Sequence, residues 1–113
     1  MTIEEFVVDH LNEALSVPAY GDVPSPLLPR FVTVEKTGAG AVNYIPWATI
    51  DVLAWADTRA DAADLCAAVE AAMSTLAEDY QISRCKLENS YNDPDLDRKK
   101  PRYRAVFTIT HYL

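Results

Sequence analysis

Cysteine and basic residues are scarce in this 113-residue chain. Its two cysteines, Cys66 and Cys85, are too few for a disulfide framework. Ten Lys and Arg against 17 Asp and Glu give a net charge of −7, so the chain lacks the basic face of a general nucleic-acid binder. The longest uncharged run, Thr37 to Ile50, contains Pro46 and is too short to span a membrane. With an acidic N-terminus in place of a basic secretory signal, the sequence predicts a soluble cytosolic protein.

Patterns that would indicate catalysis or metal binding are also missing. Cys66, Cys85, His10 and His111 do not have the paired spacing of a structural zinc site. The acidic stretch 93–97 lacks the glycine and the final glutamate of a calcium-binding loop. We therefore predict no enzyme activity, no catalytic residue, no metal and no cofactor, and we expect His10 to be a packing residue of a helix.

Periodicity predicts an α-helix at the N-terminus. Thr2 and Glu5 have the spacing of a capping box, and apolar residues recur on one helical face from Ile3 to Leu15. Pro18 disfavours helical backbone at Val17, so the helix should end near Ser16. The proline-rich segment from Val17 to Arg30 is predicted to be an extended connection over the surface. Its expected apolar anchors are Tyr20, Leu27 and Leu28.

Four strands and a second helix are predicted in the remaining chain. The strands are expected at 31–36, 47–56, 82–88 and 103–112, with a turn or hairpin tip at Gly38-Ala39-Gly40. The second helix should begin at Thr58 and bury a stripe that runs to Leu76. The expected fold is α+β: an antiparallel sheet of four or slightly more strands with two helices on one face, in the order α-β-β-α-β-β. It forms a single domain over residues 1–113.

The sheet face turned away from the helices is predicted to be an interface. Strand alternation places Trp47, Leu53 and Trp55 on that face among polar residues. Surfaces that mix Trp, Tyr and Arg with moderate apolar area are enriched where subunits meet. The alternative is that loop 38–46 or loop 89–100 folds back and covers this face within one protomer.

Half of the basic residues lie within seven positions near the C-terminus. This basic cluster consists of Arg98, Lys99, Lys100, Arg102 and Arg104. A basic edge that meets an acidic edge of the next subunit would offset part of the repulsion between chains of this net charge. The alternative is a solvated strand end neutralised by Asp93, Asp95 and Asp97. The predicted subunit-interface residues are this cluster together with Tyr44, Trp47 and Trp55.

Six segments, in their order and spacing, carry a resemblance that covers nearly the whole chain. They are 17–24 (VPAYGDVP), 29–38 (PRFVTVEKTG), 53–62 (LAWADTRADA), the helix through Val69 and Met73, 93–95 (DPD) and 101–103 (PRY). In this set the chain resembles the tail terminator (tail completion) proteins of long-tailed phages and prophages. It departs from them at Gly38-Ala39-Gly40, where adjacent glycines are expected.

The resemblance implies a structural role in the virion tail, after assembly in the host cytoplasm. Similar proteins form a ring, usually a homo-hexamer, on the end of the tail tube, where they stop polymerisation and present a docking surface to the DNA-filled head. The implied partners are the chain itself, the tail tube protein and a head-side neck protein. DNA would pass through the ring without specific binding, and no membrane is involved.

Two alternative functions remain open at the level of sequence. One is a head-closure or connector protein of the neck, which has a similar size and also forms rings. The other is a small acidic adaptor domain that binds one cellular protein and forms no ring.

Overall fold

The computed structural model describes residues 1–113 and has two helices packed against a five-stranded mixed sheet. The elements are α1 (Ile3–Ala14), β1 (Ala19–Tyr20), β2 (Phe31–Val42), β3 (Ile45–Trp55), α2 (Arg59–Met73), β4 (Ile82–Asn92) and β5 (Arg102–His111). The strand order is β1-β2-β3-β5-β4; β1 is parallel to β2, and all other neighbours are antiparallel. The α+β class is confirmed. The predicted four-stranded antiparallel sheet is only partly correct, because β1 adds a parallel strand too short for its pattern to be recognised.

The first helix begins at the predicted cap. Thr2 Oγ1 accepts a hydrogen bond from Glu5 N (3.2 Å), which satisfies one of the free N–H groups at the helix start. The helix ends at Ala14, and the Asn12 side chain then bonds both Ala19 N (2.9 Å) and Ala19 O (3.1 Å). These two bonds tie β1 to α1 and so fix the start of the segment that leads to Arg30.

The second helix is capped at the predicted residue and ends earlier than predicted. Thr58 Oγ1 accepts from Asp61 N (3.1 Å), and the helix runs to Met73. Leu76 is still buried, but it belongs to a short 3-10 turn (Leu76–Glu78) and not to the helix. Apolar residues therefore recur at helical spacing for one turn beyond the last residue of the α-helix.

The main core lies between the two helices and one face of the sheet. Buried apolar side chains from α1, α2 and all long strands form one cluster, for example Val7, Val69, Val52 and Phe107. Each such side chain contributes roughly 1.5–3 kcal/mol through its removal from water. Both helices therefore occupy one face of the sheet, and no helix covers the opposite face.

The hairpin between β2 and β3 is longer than predicted, and its tip lies elsewhere. Gly38-Ala39-Gly40 continues strand β2, and no glycine has a positive φ. The turn is formed by Asn43 (φ 51°) and Tyr44 (φ 67°), the two positive values of a two-residue hairpin turn. The predicted glycine tip is therefore wrong; asparagine tolerates the left-handed conformation, which made Asn43 the better signal.

The last two strands are also shifted from their predicted bounds. Strand β4 extends to Asn92, and residues 89–92 pair with residues 103–106 of β5. The polar composition of 89–92 is typical of a turn, but an edge strand tolerates polar side chains on both faces because it is exposed. The loop is therefore shorter than predicted and runs from Asp93 to Pro101.

Candidate interaction surface

The sheet face turned away from the helices is divided into two halves. We call the end that carries Phe31, Leu53 and Trp55 the covered half, because the segment 17–30 packs over it. We call the other end the open half; its side chains come from the far ends of β2, β3 and β5. The two halves differ in what they can bind, since only the open half is accessible in a single protomer.

The covered half is a second small core. The rings of Phe31 and Trp55 stack with 5.2 Å between centroids, and Tyr20 packs against Phe31. Trp55 Nε1 donates to Thr33 Oγ1 (3.0 Å), so the indole nitrogen is satisfied inside the protein. From the segment 17–30, Tyr20, Val23 and Leu28 pack on this core, whereas the predicted anchor Leu27 is exposed.

Trp55 lies inside the protomer. Its side chain is only 1% exposed, and the guanidinium groups of Arg102 and Arg98 lie 4.9 and 5.9 Å from the ring centroid. These cation–π contacts complete its enclosure. The segment 17–30 covers this half of the sheet, together with Arg98 of the loop 93–101. Loop 38–46 is part of the hairpin and does not fold back over it. Trp55 is therefore not part of an open surface.

Arg104 is held by acids of its own protomer. It donates from Nε to Asp93 Oδ2 (2.7 Å) and from a terminal nitrogen to Asp51 Oδ2, while Thr37 Oγ1 donates to Asp51 Oδ1 (2.9 Å). Burial lowers the pKa of the Arg104 guanidinium, but its hydrogen bonds to Asp93 and Asp51 outweigh this and raise the pKa above its usual value. The side chain is thus a fixed internal cation.

Most of the basic cluster is neutralised in the same way. Arg102 pairs with Asp93 (3.2 Å), Arg98 with Asp95 (2.7 Å) and Lys100 with Asp57 (3.0 Å). The hydrogen bond from Arg98 also lowers the pKa of Asp95 below its usual value. Only Lys99 of the cluster has no acidic partner within 4 Å; it is exposed, with a φ of 51°. This arrangement favours the alternative in which nearby acids neutralise the strand end.

The open half is a shallow depression of about 620 Å³. The indole of Trp47 lies across Gly40, its partner in the hairpin, and is half-buried. The depression is lined by Val42, Asn43, Ile45, Trp47, Thr49, Thr108 and Thr110. The depression has apolar side chains at one side and threonine hydroxyls at the other, and none of its lining residues is charged. Such a lining is suited to contact with another protein surface.

The tip of the β2–β3 hairpin projects beyond the rest of the sheet. The last pair between β3 and β5 is Trp47 with Thr110, so residues 41–46 pair only with each other. Val42 is 64% exposed and Tyr44 is fully exposed. A tyrosine held at positive φ in water costs the protomer about 1–2 kcal/mol and contributes no packing to it. Strain of this kind clusters at functional sites.

The histidines and cysteines have structural environments. His10 Nε2 lies 2.8 Å from Ala72 O and 3.1 Å from Thr75 Oγ1, which links α1 to the end of α2, as expected of a packing histidine. Burial raises the pKa of Cys85 to about 11 and also raises that of Cys66. No three His, Cys, Asp or Glu side chains lie close enough to hold a metal ion.

Of the predicted interface residues, Trp47 lines the open half and Tyr44 stands exposed at the tip of the same hairpin, whereas Trp55 and the basic cluster lie elsewhere in the protomer. Sequence reasoning missed Val42, Ile45 and Gly40. Their signal is the uncharged run 37–50, which is unusual for a long exposed hairpin.

Comparisons with known proteins add no family assignment. No protein-family model matches the chain, and no curated protein sequence matches it significantly. Neither α1 nor α2 has the length and apolar character that crossing a membrane requires. The functional interpretation therefore depends on the surface itself and on the resemblance of the sequence.

Proposed function

We propose that this chain is a structural protein of the phage tail. It forms a ring on the end of the tail tube, terminates tube polymerisation and provides the surface to which the head docks. The observation that carries the proposal is the open half of the sheet with its projecting, uncharged hairpin tip. A side chain such as Tyr44 gains burial only when another chain covers it, so the hairpin is suited to assembly.

Shape and chemistry of the surface support a binding role over a catalytic one. The depression at Trp47 is lined by apolar groups and threonines and contains no acid, base or thiol. The titratable groups with clearly shifted pKa values, Cys66, Cys85, Asp95, Arg104 and His111, lie outside its lining. Such a surface can exclude water and accept hydrogen bonds, which is what a subunit contact needs.

The charge distribution fits a ring that surrounds DNA. Four of the five members of the basic cluster are paired with acids of the same protomer, so few cations are left to bind phosphates. The remaining excess of acid gives each copy a net charge of −7. A lumen formed by such copies repels DNA and lets it pass without being retained.

Tail length in particles that lack the protein tests this proposal. Deletion of the gene in the virus that encodes the chain, followed by electron microscopy of lysates, should give tails longer than wild type without attached heads. Complementation with the wild-type chain should restore the length. Tails of normal length beside empty or leaking heads would instead indicate a head-closure or connector protein. Normal particles, with the chain recovered in a one-to-one complex with a cellular protein, would indicate an adaptor.

A further inference from the structure

The outer edge of strand β2 is open along most of its length. Strand β1 pairs only with Val32 and Thr33, so β2 has no neighbour on that side from Val34 to Val42. The two-residue turn makes Val42 and Ile45 a hydrogen-bonded pair, and successive residues of a strand point their backbone groups to opposite sides. The N–H and C=O groups of Ala39 and Ala41 therefore point outward, where no strand receives them.

This edge lacks the usual protection against pairing. Natural edge strands are blocked by lysine or other charges, by proline or by a covering element. Beyond the irregularity at Thr37, the edge from Gly38 to Val42 contains no charge and no proline, and every residue of it except the half-buried Gly38 is exposed. Such an edge is a template for a strand of another chain.

The opposite edge of the sheet is also open. Strand β4 pairs only with β5, and the same alternation directs the backbone groups of Cys85 and Leu87 outward. Leu87 is 43% exposed on the helix side of the sheet. The small side chains of Ala39 and Ala41 on the β2 edge leave room for a residue of this size.

We infer that the β2 edge of one copy pairs, antiparallel, with the β4 edge of the next copy. The inference rests on the proposed function, because a closed ring needs two different surfaces on each subunit, whereas pairing of two identical edges ends at a dimer. Strands β2 and β4 run in opposite directions within one protomer. Copies related by rotation about an axis along the strands keep these directions, so β2 meets β4 in the antiparallel arrangement.

The charges of the two edges do not oppose this contact. When Leu87 lies beside Ala39 and Ala41 of the next copy in antiparallel pairing, Arg84 and Lys86 of β4 face the uncharged end of β2 near the hairpin tip. Arg84 has no acidic partner within 4 Å in its own protomer. Because like charges that meet at an interface disfavour it, the uncharged end of β2 suits the basic end of β4 in a second copy of the chain.

Proline substitution at each edge tests the inference. Ala41→Pro and Leu87→Pro each remove one outward N–H that has no partner in the protomer, so the ladder inside the sheet is retained. Ala41→Thr and Leu87→Thr are matched controls that keep the N–H. The self-association of each purified chain is measured by sedimentation velocity up to its highest attainable concentration, with circular dichroism to confirm folding. Where a proline variant does not fold, lysine at the same position replaces it.

The expected result has three parts. The wild-type chain and both threonine controls associate, each proline variant alone is monomeric, and an equimolar mixture of the two proline variants forms a heterodimer and nothing larger. Only pairing between two different edges gives the last outcome, because each variant then offers one intact edge.

Other outcomes overturn the inference. A Leu87→Pro chain that still dimerises would show pairing of two β2 edges. If both proline variants assemble as the wild type does, the subunit contact lies elsewhere on the protomer, although the chain can still form a ring. A wild-type chain that stays monomeric throughout would exclude self-pairing of free edges, and the tail-length experiment would then decide the proposed function separately.

Discussion

The indole of Trp47 occupies the space above Gly40 across the β2–β3 hairpin. A Cβ on residue 40 would lie 2.8 Å from Trp47 Cε2 and Cζ2, closer than carbon atoms pack in proteins. Gly38, two residues earlier on the same strand, has its nearest neighbour, Thr49 Oγ1, at 3.5 Å. The shape of the open half therefore depends on the absence of a side chain at one position and not at the other.

Gly40→Ala should destabilise the protein relative to Gly38→Ala. Both changes reduce the entropy of the unfolded chain similarly, so their difference isolates the clash with Trp47. We expect the free energy of unfolding to be lower for Gly40→Ala by about 1–3 kcal/mol, the usual cost of overpacking. Urea denaturation followed by circular dichroism gives this difference. Equal stabilities would contradict the close contact.

Tyr44→Gly should stabilise the protomer and weaken assembly. The left-handed backbone of a non-glycine residue costs about 1–2 kcal/mol, and the greater unfolded-state freedom of glycine offsets part of the gain. We expect a net increase of about 0.5–1 kcal/mol in the free energy of unfolding. Asn43→Gly is the matched control and should gain less, because asparagine tolerates positive φ. Loss of stability, or unchanged assembly, would remove the functional role of the tip.

Arg104→Met should be strongly destabilising. It leaves Asp51, which is 6% exposed, with a buried carboxylate and only Thr37 as partner. Breaking a buried ion pair in this way typically costs about 3–5 kcal/mol. Lys86→Met removes an exposed ion pair with Glu88 and should cost less than about 1 kcal/mol. The free energy of unfolding of each variant is measured by thermal and urea denaturation. If Arg104→Met loses no more than Lys86→Met, the ion pairs of Arg104 are exposed to water in the folded protein.

Asp95 should make stability depend on pH in the acid range. Its pKa in the folded state lies below the unfolded value of about 3.9, so the stabilisation is complete above that value and is lost as the pH falls through the folded-state pKa. In Arg98→Gln the main cause of the shift is removed. The variant should therefore lose less stability than wild type on acidification. Carbon NMR titration of the Asp95 carboxyl checks the shift directly; an ordinary pKa would refute it.

Local signals were sufficient to predict the helices and the core. The caps at Thr2 and Thr58 depend on side chains within three residues, and both are formed. The alternation in β3 and β5 correctly separated the core face from the other face. These features are determined by neighbours along the chain, which is why one sequence reveals them.

Features that depend on distant contacts were not predicted. Trp55 is enclosed by a proline-rich segment and two arginines that are remote from it in sequence, and no period in β3 signals this. Gly40 has the residue type of a turn, and its actual role, to leave space for Trp47 across the hairpin, depends on the strand register and not on neighbours along the chain. Tyr44 and Trp47 could be named as surface residues from type and alternation, but their grouping required the fold.

Imaging of the chain on tail tubes tests the central claim most directly. Purified tail tubes of the phage proposed to encode the protein are mixed with the wild-type chain, or with Tyr44→Gly as a folded variant of weakened contact, and examined by electron cryo-microscopy. The account predicts a ring of wild-type copies on one end of each tube, joined through the open half and hairpin of every copy, and a reduced occupancy with the variant. Bare tube ends at saturating wild-type protein, or copies bound with the hairpin tip free in solvent, would contradict it.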